Sequence, residues 1–130
     1  MVSSTTTALA ELGNTVFGGG GQKFASITVG ATASAELVAD STKNRIRVLA
    51  LVLTQIGHSS LATVKFHSND DDDAETDLTG SFGTKASDMV LVLPFNPAGW
   101  FQTEVDGSLN ITTANATAAG FLVYELVAGT

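Results

Sequence analysis

The feature that most constrains the fold is the segment Arg45–Ile56, with the sequence RIRVLALVLTQI. It begins with arginines that alternate with Ile46 and Val48, which is the period of a β-strand with one wet and one dry face. From Val48 to Leu53 every residue is apolar, and the β-branched content favours a strand over a helix. A strand that is apolar on both faces must be covered on both. We therefore predict a central strand whose second face is covered by a neighbouring subunit or a loop.

Short alternating or apolar segments recur along the rest of the chain, with turn signals every 8–12 residues and no convincing helix. A second fully apolar strand is predicted at Asp88–Phe95, DMVLVLPF, again covered on both faces. The pattern predicts an all-β protein, an antiparallel β-sandwich of jelly-roll type. The other predicted strands are 23–29, 33–39, 61–68, 109–113 and 119–127, with two shorter strands, one within 78–87 and one that begins at Trp100-Phe101.

The chain has 130 residues, which fits one domain. The run Gly18–Gly21 suggests a hinge, because dense glycine favours no regular element. A phosphate-binding loop is a poor alternative, since no Lys-Ser/Thr pair follows in register. We predict a flexible N-terminal arm and glycine-rich hinge in residues 1–22, and a β-sandwich domain in residues 23–130.

Charge and composition exclude several function classes. The net charge is −7, made up of +2 in residues 1–69 and −9 in residues 70–130. An acidic chain repels phosphates, so we predict no nucleic-acid partner. No apolar run is long enough for a membrane span, so no membrane partner is predicted. The chain lacks cysteine and therefore has neither disulfides nor thiolate metal sites.

The densest charge run is Asn69–Asp77, and it leaves two interpretations open. It is a solvated, self-repelling loop, or it is a calcium site with Asp70, Asp72 and Asp73 as ligands, because hard cations prefer clustered carboxylates. The spacing of an EF-hand loop is missing. No cofactor is predicted.

No arrangement of residues suggests catalysis, and we predict that the protein is not an enzyme. His58 and His67 are not spaced as metal ligands, and no serine lies in a nucleophile elbow. The only tryptophan, Trp100, stands beside Phe101 and is predicted to fill the core. The alternative role for Trp100 is to stack on a sugar ring.

Several segments together resemble the head decoration, or cement, proteins of tailed phages. The resemblance covers roughly two thirds of the chain, and LPFNP followed by Gly-Trp-Phe is its most distinctive part. The departures are the Asp70–Thr76 insertion and the long N-terminal stretch with its glycine run. The matching segments are RIRVLALVLT (45–54), VKF (64–66), LTG (78–80), LVLPFNPAGWF (91–101) and LNIT (109–112).

The resemblance implies a small β-sandwich that forms a homotrimer on the capsid exterior of the virion, after synthesis in the host cytoplasm. Its implied partners are further copies of itself and the phage major capsid protein, whose lattice it stabilises. The alternative function is a tail-associated or surface module that binds a host glycan through Trp100, Asn96 and the acidic loop. The candidate partner-binding residues are Leu9, Leu12, Val16, Phe17, Arg45 and Arg47.

Overall fold

Ten β-strands occupy most of the part of the chain that the computed structural model describes, residues 21–57, 61–69, 74–85 and 88–129. No helix occurs among these residues. The strands are β1 Gln22–Val29, β2 Ser34–Val38, β3 Asn44–Gly57, β4 Leu61–Asn69, β5 Glu75–Asp77, β6 Phe82–Lys85, β7 Met89–Leu93, β8 Phe101–Gln102, β9 Ser108–Ala114 and β10 Ala116–Ala128.

The strands form two antiparallel sheets that pack as a sandwich. The first sheet has the order β1-β10-β3-β7, with β8 also paired to β3. The second has the order β2-β9-β4-β5, with β6 also paired to β4. We take β5 and β6 as one interrupted strand, and β7 and β8 as another. The first strand, β1, then pairs with the last, β10, and β2 pairs with β9. In the same way β3 pairs with β7 and β8, and β4 pairs with β5 and β6. This is the order of a jelly roll, and the predicted fold class is confirmed.

A β-bulge in β3 explains why its sequence is apolar without interruption. Val48 lies opposite Tyr124 and Ala50 lies opposite Val123, so Leu49 is an extra residue in β3. The alternation therefore shifts by one residue at this point. Ile46 and Val48 face the core before the bulge, and Leu51 and Leu53 face it afterwards, all at 0–1% exposure.

The prediction that two strands are covered on both faces fails for the single chain. On the second face of β3, Val52 is half-buried and Ile56 is exposed. On β7, Leu91 and Leu93 pack against the core, but Val90 and Val92 are exposed. No described loop covers these side chains. The alternative, cover by a neighbouring subunit, stays a prediction.

The core lies between the two sheets. Phe66 on β4 is its largest fully buried side chain, and its ring lies 5.4 Å from that of Phe101 on β8, centroid to centroid. This aromatic pair joins the second sheet to the first. The other core residues are aliphatic and include Ile27, Ile46, Leu51, Leu53, Val64, Leu109, Ile111 and Leu122.

One polar side chain of the described residues is buried with no partner among them. Gln55 on β3 is 0% exposed, and within the described part of the chain neither its Oε1 nor its Nε2 makes a hydrogen bond. Burying an unsatisfied amide costs free energy, because its hydrogen bonds to water are lost and not replaced.

We expect Gln55→Met to raise the free energy of unfolding by about 1–3 kcal/mol, the usual cost of an unsatisfied buried polar group. Urea unfolding of the variant and the wild type measures the difference. Gln102→Met is the control, since the Gln102 Oε1 accepts a hydrogen bond from Arg47 Nε at the surface. A loss of stability in Gln55→Met would contradict the expectation and show that the amide has a partner.

Candidate interaction surface

The first sheet carries apolar side chains on the face that points away from the core. The strand register sets Phe121, Val52 and Val92 side by side on β10, β3 and β7. The next row contains Val90 on β7, and Phe24 on β1 lies opposite Val123 on β10. We call this surface the apolar face; its members are Phe24, Val52, Ile56, Val90, Val92 and Phe121.

The apolar face is open to solvent in the single chain. Phe24 is 73% exposed and Val90 66%, and Val92, Ile56 and Phe121 are 55%, 54% and 46% exposed. Together they present on the order of 500 Å² of apolar surface, which is in the range of the functional patches found on monomers. Most of the large exposed hydrophobic side chains of the described residues therefore lie on one side of the molecule.

Trp100 extends the apolar face at the β7–β8 end, and its prediction as a core residue was wrong. Its side chain is 44% exposed, and its backbone N–H donates to the Val48 carbonyl. Phe101, the next residue, takes the core position against Phe66. Since neighbouring side chains of an extended chain point to opposite sides, Trp100 is placed on the outer side.

The β7–β8 loop holds Trp100 through its own hydrogen bonds. The indole Nε1 donates to the Pro94 carbonyl at 2.8 Å. The Asn96 Oδ1 accepts from the Ala98 N–H at 3.0 Å, and its Nδ2 donates to the Gly99 carbonyl at 3.3 Å. The Asn96 amide is thus used inside the turn, although it was a candidate for glycan binding.

The two candidate arginines lie in the first half of β3, beside β8 and the β7–β8 loop, and already have partners in the chain. Arg47 Nη1 lies 3.3 Å from Glu125 Oε1, and Arg47 Nε donates to Gln102. Arg45 Nη1 donates to the Thr103 carbonyl at 3.2 Å. Both guanidinium groups thereby tie β3 to neighbouring segments. The other candidates, Leu9, Leu12, Val16 and Phe17, lie outside the described residues.

The outer face of the second sheet is polar instead. Lys65 Nζ lies 3.0 Å from Asp77 Oδ1 and 3.6 Å from Glu75 Oε1. The hydrogen bond to Asp77 raises the pKa of the Lys65 ammonium, so the lysine stays charged at neutral pH. His67, only 3% exposed, is held by Asn69 and Thr112 at 3.0 and 2.8 Å. These groups bond to one another across strands, which indicates a structural role.

The described residues contain no group of three or more His, Asp or Glu side chains that could hold a metal ion. The calcium candidates Asp70, Asp72 and Asp73 lie outside them, as does His58, so the calcium interpretation stays untested. Nor is any helix in the described part of the chain long and apolar enough to cross a membrane.

Comparisons with known proteins give little further guidance. No protein-family model matches the chain, and no curated protein matches it. Among solved structures, a chain in the structure of infectious bursal disease virus Gx strain is similar, with a TM-score of 0.41 and 13% identity. The match covers 84% of this chain but only 33% of that one. A likeness at this level assigns neither fold nor function.

Proposed function

We propose that the protein is a non-enzymatic structural protein of a phage virion, a trimeric decoration protein that binds and stabilises the major capsid protein lattice from the outside. The observation that carries the proposal is the exposed apolar face on one side of a jelly roll whose other outer face is polar. Such a face is typical of a protein that works in contact with other proteins. The sequence resemblance to head decoration proteins supports the same role.

The proposed stabilisation is mechanical. A rigid sandwich that bridges neighbouring coat subunits adds contacts that must break before the shell can open under the pressure of the packaged DNA. In this proposal the N-terminal residues, with Leu9, Leu12, Val16 and Phe17, reach a neighbouring subunit. A segment that becomes ordered on contact adds buried area without enlarging the body.

The experiment compares heads that carry the protein with heads that lack it. We expect the protein in purified virions, and we expect heads without it to release DNA at a lower temperature and in milder salt stress. Adding back the purified full-length chain should restore the difference. A chain lacking residues 2–17 should restore less, because the proposed arm contact is absent. Equal stability of the two kinds of head would contradict the clamping role.

The exposure of Trp100 favours a second candidate function, a tail-associated or surface module that binds a host glycan. An exposed indole can stack on a sugar ring, although the Asn96 amide is occupied within its own turn. Because Trp100 is the only tryptophan, sugar binding there should change the intrinsic fluorescence. A glycan array without hits, together with unchanged fluorescence, would remove this candidate.

A further inference from the structure

We infer that the apolar face is covered by a second copy of this chain, so that the outer face of the first sheet is the contact between protomers. The inference deepens the proposed function, and it rests on that proposal for the number of copies. The inference assigns the contact between protomers to one side of the molecule. The polar outer face of the second sheet is then left to the solvent or to other partners.

The composition of the face favours a permanent contact over an occasional one. The row Ser26, Phe121, Val52 and Val92 contains no charge. Interfaces between proteins that meet only transiently are about as apolar as the rest of the surface, whereas permanent interfaces between copies are more apolar. If the apolar face bound only the coat lattice of a finished head, Phe24 and Val90 would be exposed to water until the protein reached that head.

The distribution of charge also favours contact between copies through the outer face of the first sheet. The chain has a net charge of −7, so two copies repel each other in general. Among the side chains that the structure describes on the outer face of the second sheet, Glu36, Glu75 and Asp77 stand against Lys65. The outer face of the first sheet carries two arginines against Glu125. Copies that meet through the first sheet therefore keep most of these carboxylates apart.

The size and layout of the face suit a closed ring. Four strands about 4.8 Å apart make a face roughly 15–20 Å across, and with its polar rim it offers close to the roughly 800 Å² that one partner contributes to a standard interface, which in a ring is divided between two neighbours. The β1–β10 half is aromatic, with Phe24 and Phe121, and the β3–β7 half is aliphatic, with Ile56, Val90 and Val92. Two unlike halves permit each copy to pack its aromatic half on the aliphatic half of the next, as a three-fold ring requires.

The test is the solution mass of the full-length chain by light scattering, for the wild type, Val92→Lys and Leu61→Lys. Val92 is 55% exposed on the apolar face, and Leu61 is 56% exposed on β4 of the second sheet, so the two changes are matched. With a 13.3 kDa chain, we expect a mass of about 40 kDa for the wild type and for Leu61→Lys. Val92→Lys should give one protomer, because a buried lysine has no partner there.

A second readout and a second variant distinguish the loss of the contact between protomers from misfolding of the variant. Lysine is tolerated on edge strands such as β7 and β1, so Val92→Lys and Phe24→Lys should keep the wild-type far-ultraviolet circular dichroism. Dilution of the wild type should shift the Trp100 emission to longer wavelength as the protomers separate. If the measured mass falls on dilution but the Trp100 emission does not shift, the assignment of this face as the contact between protomers is overturned.

The outcomes separate the inference from the proposed function. A wild-type mass of two protomers that Val92→Lys reduces to one would support the inference and contradict the trimer. Assembly that survives in both folded lysine variants would overturn it. A monomeric wild type would also overturn it, and if deletion of residues 2–17 then exposed the face to an apolar dye, the occupant would be the chain's own N-terminal segment. Assembly through this face without any binding to heads would leave the inference standing and remove the decoration role.

Discussion

Replacing Gly120 with alanine is expected to lower the free energy of unfolding by about 3 kcal/mol or more, because a Cβ there makes the closest backbone clash of any glycine that the structure describes. Gly120 lies in β10 between Ile27 on β1 and Leu53 on β3. A Cβ atom there would collide with the Val52 carbonyl oxygen and lie 2.9 Å from its carbonyl carbon. These are backbone atoms of a paired strand, so they cannot rotate away as a flexible side chain would.

Urea unfolding of Gly120→Ala against the wild type measures this loss. Gly30→Ala is the matched control, because a Cβ at Gly30 meets nothing within 4 Å. We expect the control to change stability by no more than about 0.5 kcal/mol. A loss in Gly120→Ala as small as that of the control would contradict the expectation and would mean that β3 can move away from β10 at little cost.

The sequence predicts the strands and the jelly roll well, because alternation of polar and apolar residues is a local property. It does not reveal the bulge at Leu49. An apolar run with one extra residue looks the same as a strand buried on both faces until the register against Tyr124 and Val123 is known. We predicted that this segment is covered on both faces because its alternation shifts by one residue at the bulge. Only the pairing of β3 with β10 reveals that shift.

The candidate site was only partly predictable. The sequence indicates that the DMVLVLPF strand is apolar on both sides, but not that Val90 and Val92 remain uncovered in the single chain. It also places Trp100 beside Phe101, and alternation allows only one of them to face the core. Phe101 takes that place because it pairs with Val48 and meets the ring of Phe66, which lies far away in the sequence. Contacts of this kind cannot be read from local spacing.

The second large effect is expected for Phe66→Ala, which should lower the free energy of unfolding by about 3–5 kcal/mol. Phe66 is 0% exposed, and its ring packs on Phe101 across the two sheets. Truncation would lose the transfer free energy of the ring and leave a cavity between sheets whose paired strands cannot close around it. The loss therefore combines a missing side chain with a weakened connection between the halves of the sandwich.

Phe95→Ala is the control for this change, since Phe95 is 49% exposed and undergoes the same truncation at the surface. Urea unfolding should show a loss in Phe66→Ala several times larger than in the control. A double-mutant cycle with Phe101→Ala would then separate the ring contact from simple burial, and aromatic pairs typically couple by about 0.5–1.5 kcal/mol. If Phe66→Ala cost no more than Phe95→Ala, the two sheets would have to be held together by the aliphatic core alone, and the aromatic bridge between β4 and β8 would have no special part in the fold.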